Sequence, residues 1–566
     1  MHRATILPLS VLFTTAVAVA QSGSELNAGS DRAQGSFQED GRVEMEAFVV
    51  SANRVGGRPW RYVSIPGFEI LSHCADYQTK DYIRAIMRGS TLEKMMLPDG
   101  CLASLAFPTS VILYDSGSSS NNSMSPLAPS SVTYGGPDSD IYWGDGRMSF
   151  RWPWATYDVD TVVDCVRLSA DGFDFSGDDN PIPVWVHKTF AFRLRHRVPQ
   201  FPPWLFEGLI GPDGVYGRGT EVRYDAHQMP VGMIVPAARW ISDSETLSVK
   251  KQVVAVIPLP MKDLFNPGDL EQRSPSSIWL SEAALFVRWG MFYTPPKNIR
   301  QTALPEPDHR AAFWKLVDQA TTGPVTDAMF RKCFGFGFDA LKFKLERYLP
   351  IAAGELIGTR FSGEWDPSVP EPRDATEVET ARIVGDWERI KASAFKTKDP
   401  GLSDLYLAEA GRMLSKPYIK GSRDPQLLGV LGLYEHVVGD DAKALEHLEA
   451  AAVGNVDRPS VYQTLAELRY HELESHPERS GGRLSAAQEK AVLDPLLDAR
   501  ARPPAMPETY RFIADVWSHS ADKPALGELA VLDEGTKLFW TDAALADSVA
   551  KLRLQWGYGA KAQAEP

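Results

Sequence analysis

Residues 183–209 read Pro183-Val184-Trp185-Val186-His187-Lys188-Thr189-Phe190-Ala191-Phe192-Arg193-Leu194-Arg195-His196-Arg197-Val198-Pro199-Gln200-Phe201-Pro202-Pro203-Trp204-Leu205-Phe206-Glu207-Gly208-Leu209, and the fold assignment turns on them. Two histidines on one helix share a metal ion when they stand four residues apart, because one turn brings them to the same face. Four residues after His187 comes Ala191, whose methyl group donates nothing. His196 is no substitute, since nine steps of about 100° each carry it to roughly the opposite side of a continuous helix. One imidazole and one carboxylate, His187 and Glu207, do not make a catalytic zinc site.

The second half, Pro202-Pro203-Trp204-Leu205-Phe206-Glu207-Gly208-Leu209, resembles nearly letter for letter a segment of the gluzincin metallopeptidases, especially their peptidase-MA-like bacterial branch. In that family a helix with His-Glu-x-x-His precedes it, and the glutamate of the segment is the third zinc ligand. The resemblance implies that Glu207 stands at that ligand position and His187 at the first histidine. It puts Lys188 where the general base belongs and Ala191 where the second histidine belongs. An ammonium repels a dication, and it acts as a base only where desolvation depresses its pKa.

The expectation is therefore a degenerate α+β gluzincin-like domain, a small mixed sheet plus helices, over residues 42–350. It has no catalytic residue, no metal site and no cofactor, with His187 and Glu207 as remnant positions. The alternative is an active zinc metallopeptidase with an atypical ligand set, using His187 and Glu207 with a second histidine from elsewhere in the chain. A plainer reading leaves the two as a core histidine and a buried carboxylate paired with it.

Working outward, residues 1–20 have a short basic start, an apolar run and Ala18-Val19-Ala20 before Gln21, as a secretory signal peptide does. An uncleaved anchor is the alternative. Residues 21–41 read as a disordered leader. The protein is expected to be extracytoplasmic, periplasmic or secreted, with no membrane span after signal cleavage. A chain of 566 residues requires two or three domains, and its net charge of -14 argues against nucleic acid as a partner. Cys74, Cys101, Cys165 and Cys333 are too widely spaced for a zinc ribbon. Their pairing is not derivable, although Cys74 with Cys101 is favoured by proximity and four buried thiols remain open.

Within 42–350, strands are expected at 43–52 and 60–65, a helix after Pro66-Gly67 that takes in Phe68, Ile70, Leu71, Tyr82 and Ile86, and a buried strand at Ser110–Tyr114. Residues 116–146 read as a loop insertion. Phe150–Trp154 and Thr161–Val166 form paired strands, and Asp171–Asn180 an acidic solvated loop. Helices follow at 277–292 and through 313–349. The order strand, helix, strand ahead of His187 also resembles the start of gluzincin domains.

Residues 351–375 are a proline-rich linker, and from 376 the texture changes to Ala-rich helices with a period of about 34 residues. Leu428, Leu431, Gly432, Gly439-Asp440, Ala444, Leu448 and Ala451 fall on tetratricopeptide positions, and Tyr462, Leu465, Ala466 and Tyr510, Ile513, Ala514 repeat the register. The expected architecture over 376–558 is an all-α tetratricopeptide-like solenoid whose concave face binds a protein or peptide. His471 and His476 are five apart, about 140° out of phase on a helix, and do not converge on one ion.

Overall fold

The computed structural model describes residues 59–115, 154–168, 185–210, 215–218, 221–224, 259–267, 278–293, 309–354, 357–360, 367–397, 399–475 and 482–558. The expected signal peptide, leader, 43–52 strand, 116–146 insertion and acidic loop lie outside the described residues.

The chain enters the fold as a hairpin, β1 (Arg61–Ile65) and β2 (Phe68–Ser72), paired antiparallel with Ile65 opposite Phe68. This corrects the expectation that the helix begins at Phe68. Pro66-Gly67 is the two-residue turn of the hairpin, with Gly67 at φ 80°, a conformation that suits glycine at the second position of a type II turn. All of β2 is buried because both faces of this inner strand are covered, so its unbroken apolar run lacks the alternation of a half-exposed strand. The helix α1 (Asp76–Met96) starts only after it.

Then come β3 (Thr109–Asp115), parallel to β2, and β4 (Trp154–Tyr157) with β5 (Val162–Leu168), antiparallel to each other, β5 lying parallel to β3. The helices α2 (Trp185–Arg195) and α3 (Pro203–Ile210) follow. A small separate sheet joins β6 (Val215–Arg218), β7 (Glu221–Tyr224) and β8 (Ile357–Arg360). The stretch 351–375, marked by its prolines as a connector, contributes β8 and also β9 (Arg373–Asp374), which pairs with β1 and completes a six-stranded sheet of order β4-β5-β3-β2-β1-β9.

Five helices between the sheets carry an aromatic core: α4 (Met261–Phe265), α5 (Ile278–Phe292), α6 (His309–Ala320), α7 (Asp327–Phe334) and α8 (Phe338–Gly354). Phe265, Phe286, Phe313, Phe330 and Phe334 are buried together there. All four cysteines are buried and no disulfide joins them, so the favoured Cys74–Cys101 pair does not form. Cys74 belongs to the α1 core and Cys101 to the aromatic core, two different clusters.

From residue 377 the described residues are helical: α9 (Glu377–Phe395), α10 (Pro400–Ile419), α11 (Pro425–Val438), α12 (Asp441–Val453), α13 (Pro459–Ser475), α14 (Ala486–Arg500), α15 (Pro507–Ser518), α16 (Leu526–Leu538) and α17 (Ala543–Gln555). Asp399, Asp424, Asp440 and Asp542 cap helix starts by accepting backbone N–H groups, and Gly439 at φ 92° ends α11. The helices pack as hairpins, α9 with α10, α11 with α12 and α13 with α14, and α9, α11 and α13 lie side by side. Gly432 sits where a Cβ would meet Leu448 Cγ at 2.6 Å, so the small residue at that repeat position permits the close crossing of α11 and α12.

Candidate functional site

The stretch around His187 folds as two helices joined by 196–202. α2 packs on α1, β5 and α3, and Thr189 approaches the buried Asp164 of β5 at 3.5 Å. His187 and Lys188 lie in the first turn of α2, but their side chains are outside the described residues. Ala191 is half-buried one turn further on. His196, at the helix end, lies against the Phe192 ring with centroids 4.1 Å apart, and its Nδ1 is 2.9 Å from the Phe192 carbonyl. Burial holds its pKa below the ordinary histidine value. It is a packed histidine.

On α3 the letters of the peptidase-like block are accounted for by packing. Trp204 and Leu205 are fully buried, and the Trp204 ring stands edge-on to Phe265 and Phe286 at 5.4 and 5.3 Å. Gly208 lies against α5, where a Cβ would meet Val287 Cγ2 at 2.5 Å and the Ala283 carbonyl oxygen at 2.8 Å. Glu207 is half-buried on the same helix. Beneath this contact Glu282 of α5 is fully buried, its Oε1 accepting from the Leu259 N–H at 3.2 Å, and burial lifts its pKa to about 8.

A catalytic zinc requires three protein donors and an open position. At the positions that the resemblance would assign to a second imidazole and a base the chain has Ala191 and Lys188, neither of which can hold a zinc ion. Among the described residues no three His, Cys, Asp or Glu side chains converge. His471 is exposed on α13, and His476 is outside the described residues.

Two further constellations were not legible in the sequence. The first is a buried ion cluster where the β4–β5 turn meets the helical array. Arg458, before α13, donates from Nη1 to Asp386 at 2.6 Å, from Nη2 to Asp158 at 3.2 Å and from Nε to Asp160 at 3.3 Å. Arg389 of α9 bonds both Asp386 and Asp158, and the Ser460 N–H donates to Asp160 at 2.8 Å. Burial alone would raise the Asp158 carboxyl, but Arg389 and Arg458 outweigh it and hold it at about 2. Seven residues before Arg389, Arg382 makes a two-pronged pair with Glu69 of β2, which also accepts from Ser110 of β3.

The second is a polar cavity of about 350 Å³, where the first turn of α9, the start of α11 and the α12–α13 connection meet the edge of the sheet. Tyr62, Glu379, Asp424, Gln426, Asn455 and Asp457 line it. Burial alone would raise Glu379, but its bonds to Arg373 and Thr376 prevail and hold the carboxyl at about 2. Arg382 lines it too but is paired with Glu69, as Glu379 is with Arg373, which leaves Asp424 and Asp457 to set the charge of the cavity.

No known protein family matches the chain, and no relative is found among curated proteins. Among solved structures it is similar to the crystal structure of the APC/C hetero-tetramer Cut9–Hcn1, at 14% sequence identity and a TM-score of 0.21, over 51% of this chain. The match spans 58% of that chain, less than two-thirds of its length. No helix among the described residues is long and apolar enough to cross a membrane.

Proposed function

We propose that this is an exported, non-catalytic protein-interaction scaffold, in which a pseudo-metallopeptidase domain is fused to a tetratricopeptide-like array that binds a protein or peptide. The observation that supports the scaffold reading is the repeated hairpin packing of α9–α14, the arrangement in which repeat arrays present a binding surface, with α9 itself covered by the sheet. The cavity between the N-terminal ends of α9 and α11 takes its charge from Asp424 and Asp457, so the preferred partner segment presents a lysine or arginine there. The gluzincin-like reading draws its support from the Pro202–Leu209 block and from the order of sheet, α2 and α3. The pseudo-enzyme reading draws its support from Lys188 and Ala191. Export rests on the character of residues 1–20.

Two measurements test this. Zinc content of the protein purified without chelator, beside Glu207→Ala, is expected to be far below one ion per chain in both; one zinc per chain, lost in the variant, restores the metallopeptidase. Binding of a pool of lysine- and arginine-containing peptides is expected to weaken about tenfold in Asp457→Asn and at raised salt. Equal binding by peptides in which Lys and Arg are replaced by Gln removes the cavity from the account.

A further inference from the structure

The array meets the rest of the chain again at its far end, with different chemistry. The turn between α16 and α17 converges on one residue, Gln200, in the connection between α2 and α3. The Gln200 N–H donates to the Leu538 carbonyl at 2.8 Å, its own carbonyl accepts from Trp540 Nε1 at 3.0 Å, and its side-chain Oε1 accepts from Thr541 Oγ1 at 2.6 Å. Val198 packs against the apolar cluster of α14–α17, and the Ala106 N–H donates to the Pro503 carbonyl at 2.9 Å.

These bonds are all between neutral groups, and they lie near water: Gln200 is half-buried and Thr541 exposed. When they break, water can replace each partner, so the net cost of the bonds is small, and to it is added only the exposure of one half-buried side chain, Val198. At the near end the opposite holds, because separating Arg458 from Asp158, Asp160 and Asp386 strands charges that are buried. The array is thus pinned at α9 and α13 and only latched at α16–α17.

We propose that α16 and α17 form a strap that closes on the α2–α3 connection through Gln200 and opens from that end, with the Arg458 cluster as the fixed end. Both helices stay folded as it opens, since their apolar faces pack on α15. Opening uncovers Val198 and Gln200, and with them the connection between the helices that carry His187 and Glu207. The far end of the array thereby controls access to the peptidase-like helix pair. This requires neither metal nor catalysis at that pair, so it stands or falls apart from the scaffold proposal.

The test uses the full chain with spin labels at two exposed positions, Arg195→Cys and Lys537→Cys, and measures the distance between them. A control pair, Tyr77→Cys and Leu405→Cys, reports on the pinned end, where both side chains are exposed. The expected result is one short 195–537 distance in the otherwise unaltered chain. In Gln200→Ala with Trp540→Phe a longer distance gains at least a several-fold larger population, while the 77–405 distance is unchanged. Thr541→Val, which removes one exposed hydroxyl, shifts the same distribution less. Unchanged 195–537 distributions in both variants overturn the strap, as does an equal shift in the control pair.

Discussion

Two helices cover the two faces of one sheet, and they do so with opposite chemistry. α1 lays Tyr82, Ile83 and Ile86 on Phe68, Ile70 and Val111, an apolar contact with Ser72 and Thr79 sharing a 2.6 Å hydrogen bond at its edge. α9 lays Ile383, Val384, Trp387 and Ile390 on Leu71, Ile112, Val163 and Cys165, but it also drives Arg382, Asp386, Glu388, Arg389 and Lys391 into the interior. Apolar burial is non-directional and tolerates small slides. The charges of α9 do not. Arg382, Asp386 and Arg389 follow one another at i, i+4 and i+7, along one face, and meet Glu69 on β2 and Asp158 beside β4. A slip of α9 by one turn strands several buried charges at once. The apolar face supplies adhesion, and the charged face fixes where the array starts.

The most severe way to break this contrast is Arg458→Met, which leaves Asp158, Asp160 and Asp386 with too little positive charge; it should cost about 3–5 kcal/mol in denaturant unfolding. A loss under about 1 kcal/mol would make the cluster incidental. Ile83→Ala on the α1 side should cost about 2–5 kcal/mol, and no second substitution restores it. The charged face differs: Arg382→Leu alone should cost about 3 kcal/mol, whereas Glu69→Leu with Arg382→Leu returns to within about 1 kcal/mol of the parent, because no lone charge remains. Additive losses in that cycle would contradict the assignment.

Gly208→Ala forces a methyl against Val287 and the α5 backbone and should cost about 1–3 kcal/mol, visible as a lower Tm. The mildest effect is in pH. Glu282 titrates at about 8 in the fold, above its unfolded value, so its contribution is complete in acid and is lost as pH rises through about 8. Glu282→Gln should flatten the decline in stability between pH 5 and 8. Asp158, held at about 2, acts in the other direction, contributing above the ordinary carboxylate range and failing as pH falls toward 2.

The apolar spacing was legible in the sequence, and the charged contacts of α9 were not. Ser110–Tyr114, 277–292 and the repeat positions from Leu428 to Ala451 announce themselves through apolar spacing, which the structure follows. β2 was hidden because an inner strand covered on both faces does not alternate, and β9 because its partner β1 lies some three hundred residues away in the chain. The charges of α9 read locally as a solvated face. Only the sheet that covers them makes them interior, and nothing near Arg458 signals that Asp158 and Asp160 will reach it. The Pro202–Leu209 block was conspicuous for its resemblance, yet Trp204, Leu205 and Gly208 are fully accounted for by helix packing.

The central claim is that α9 belongs to the sheet and the array at once, so that the two unfold together. Native-state hydrogen exchange across a denaturant series tests it directly. The account predicts that the slowest amides of β3, α9 and α13 exchange with the same free energy and the same denaturant dependence. Persistent protection in α11–α15 after β2 and β3 have opened would contradict it.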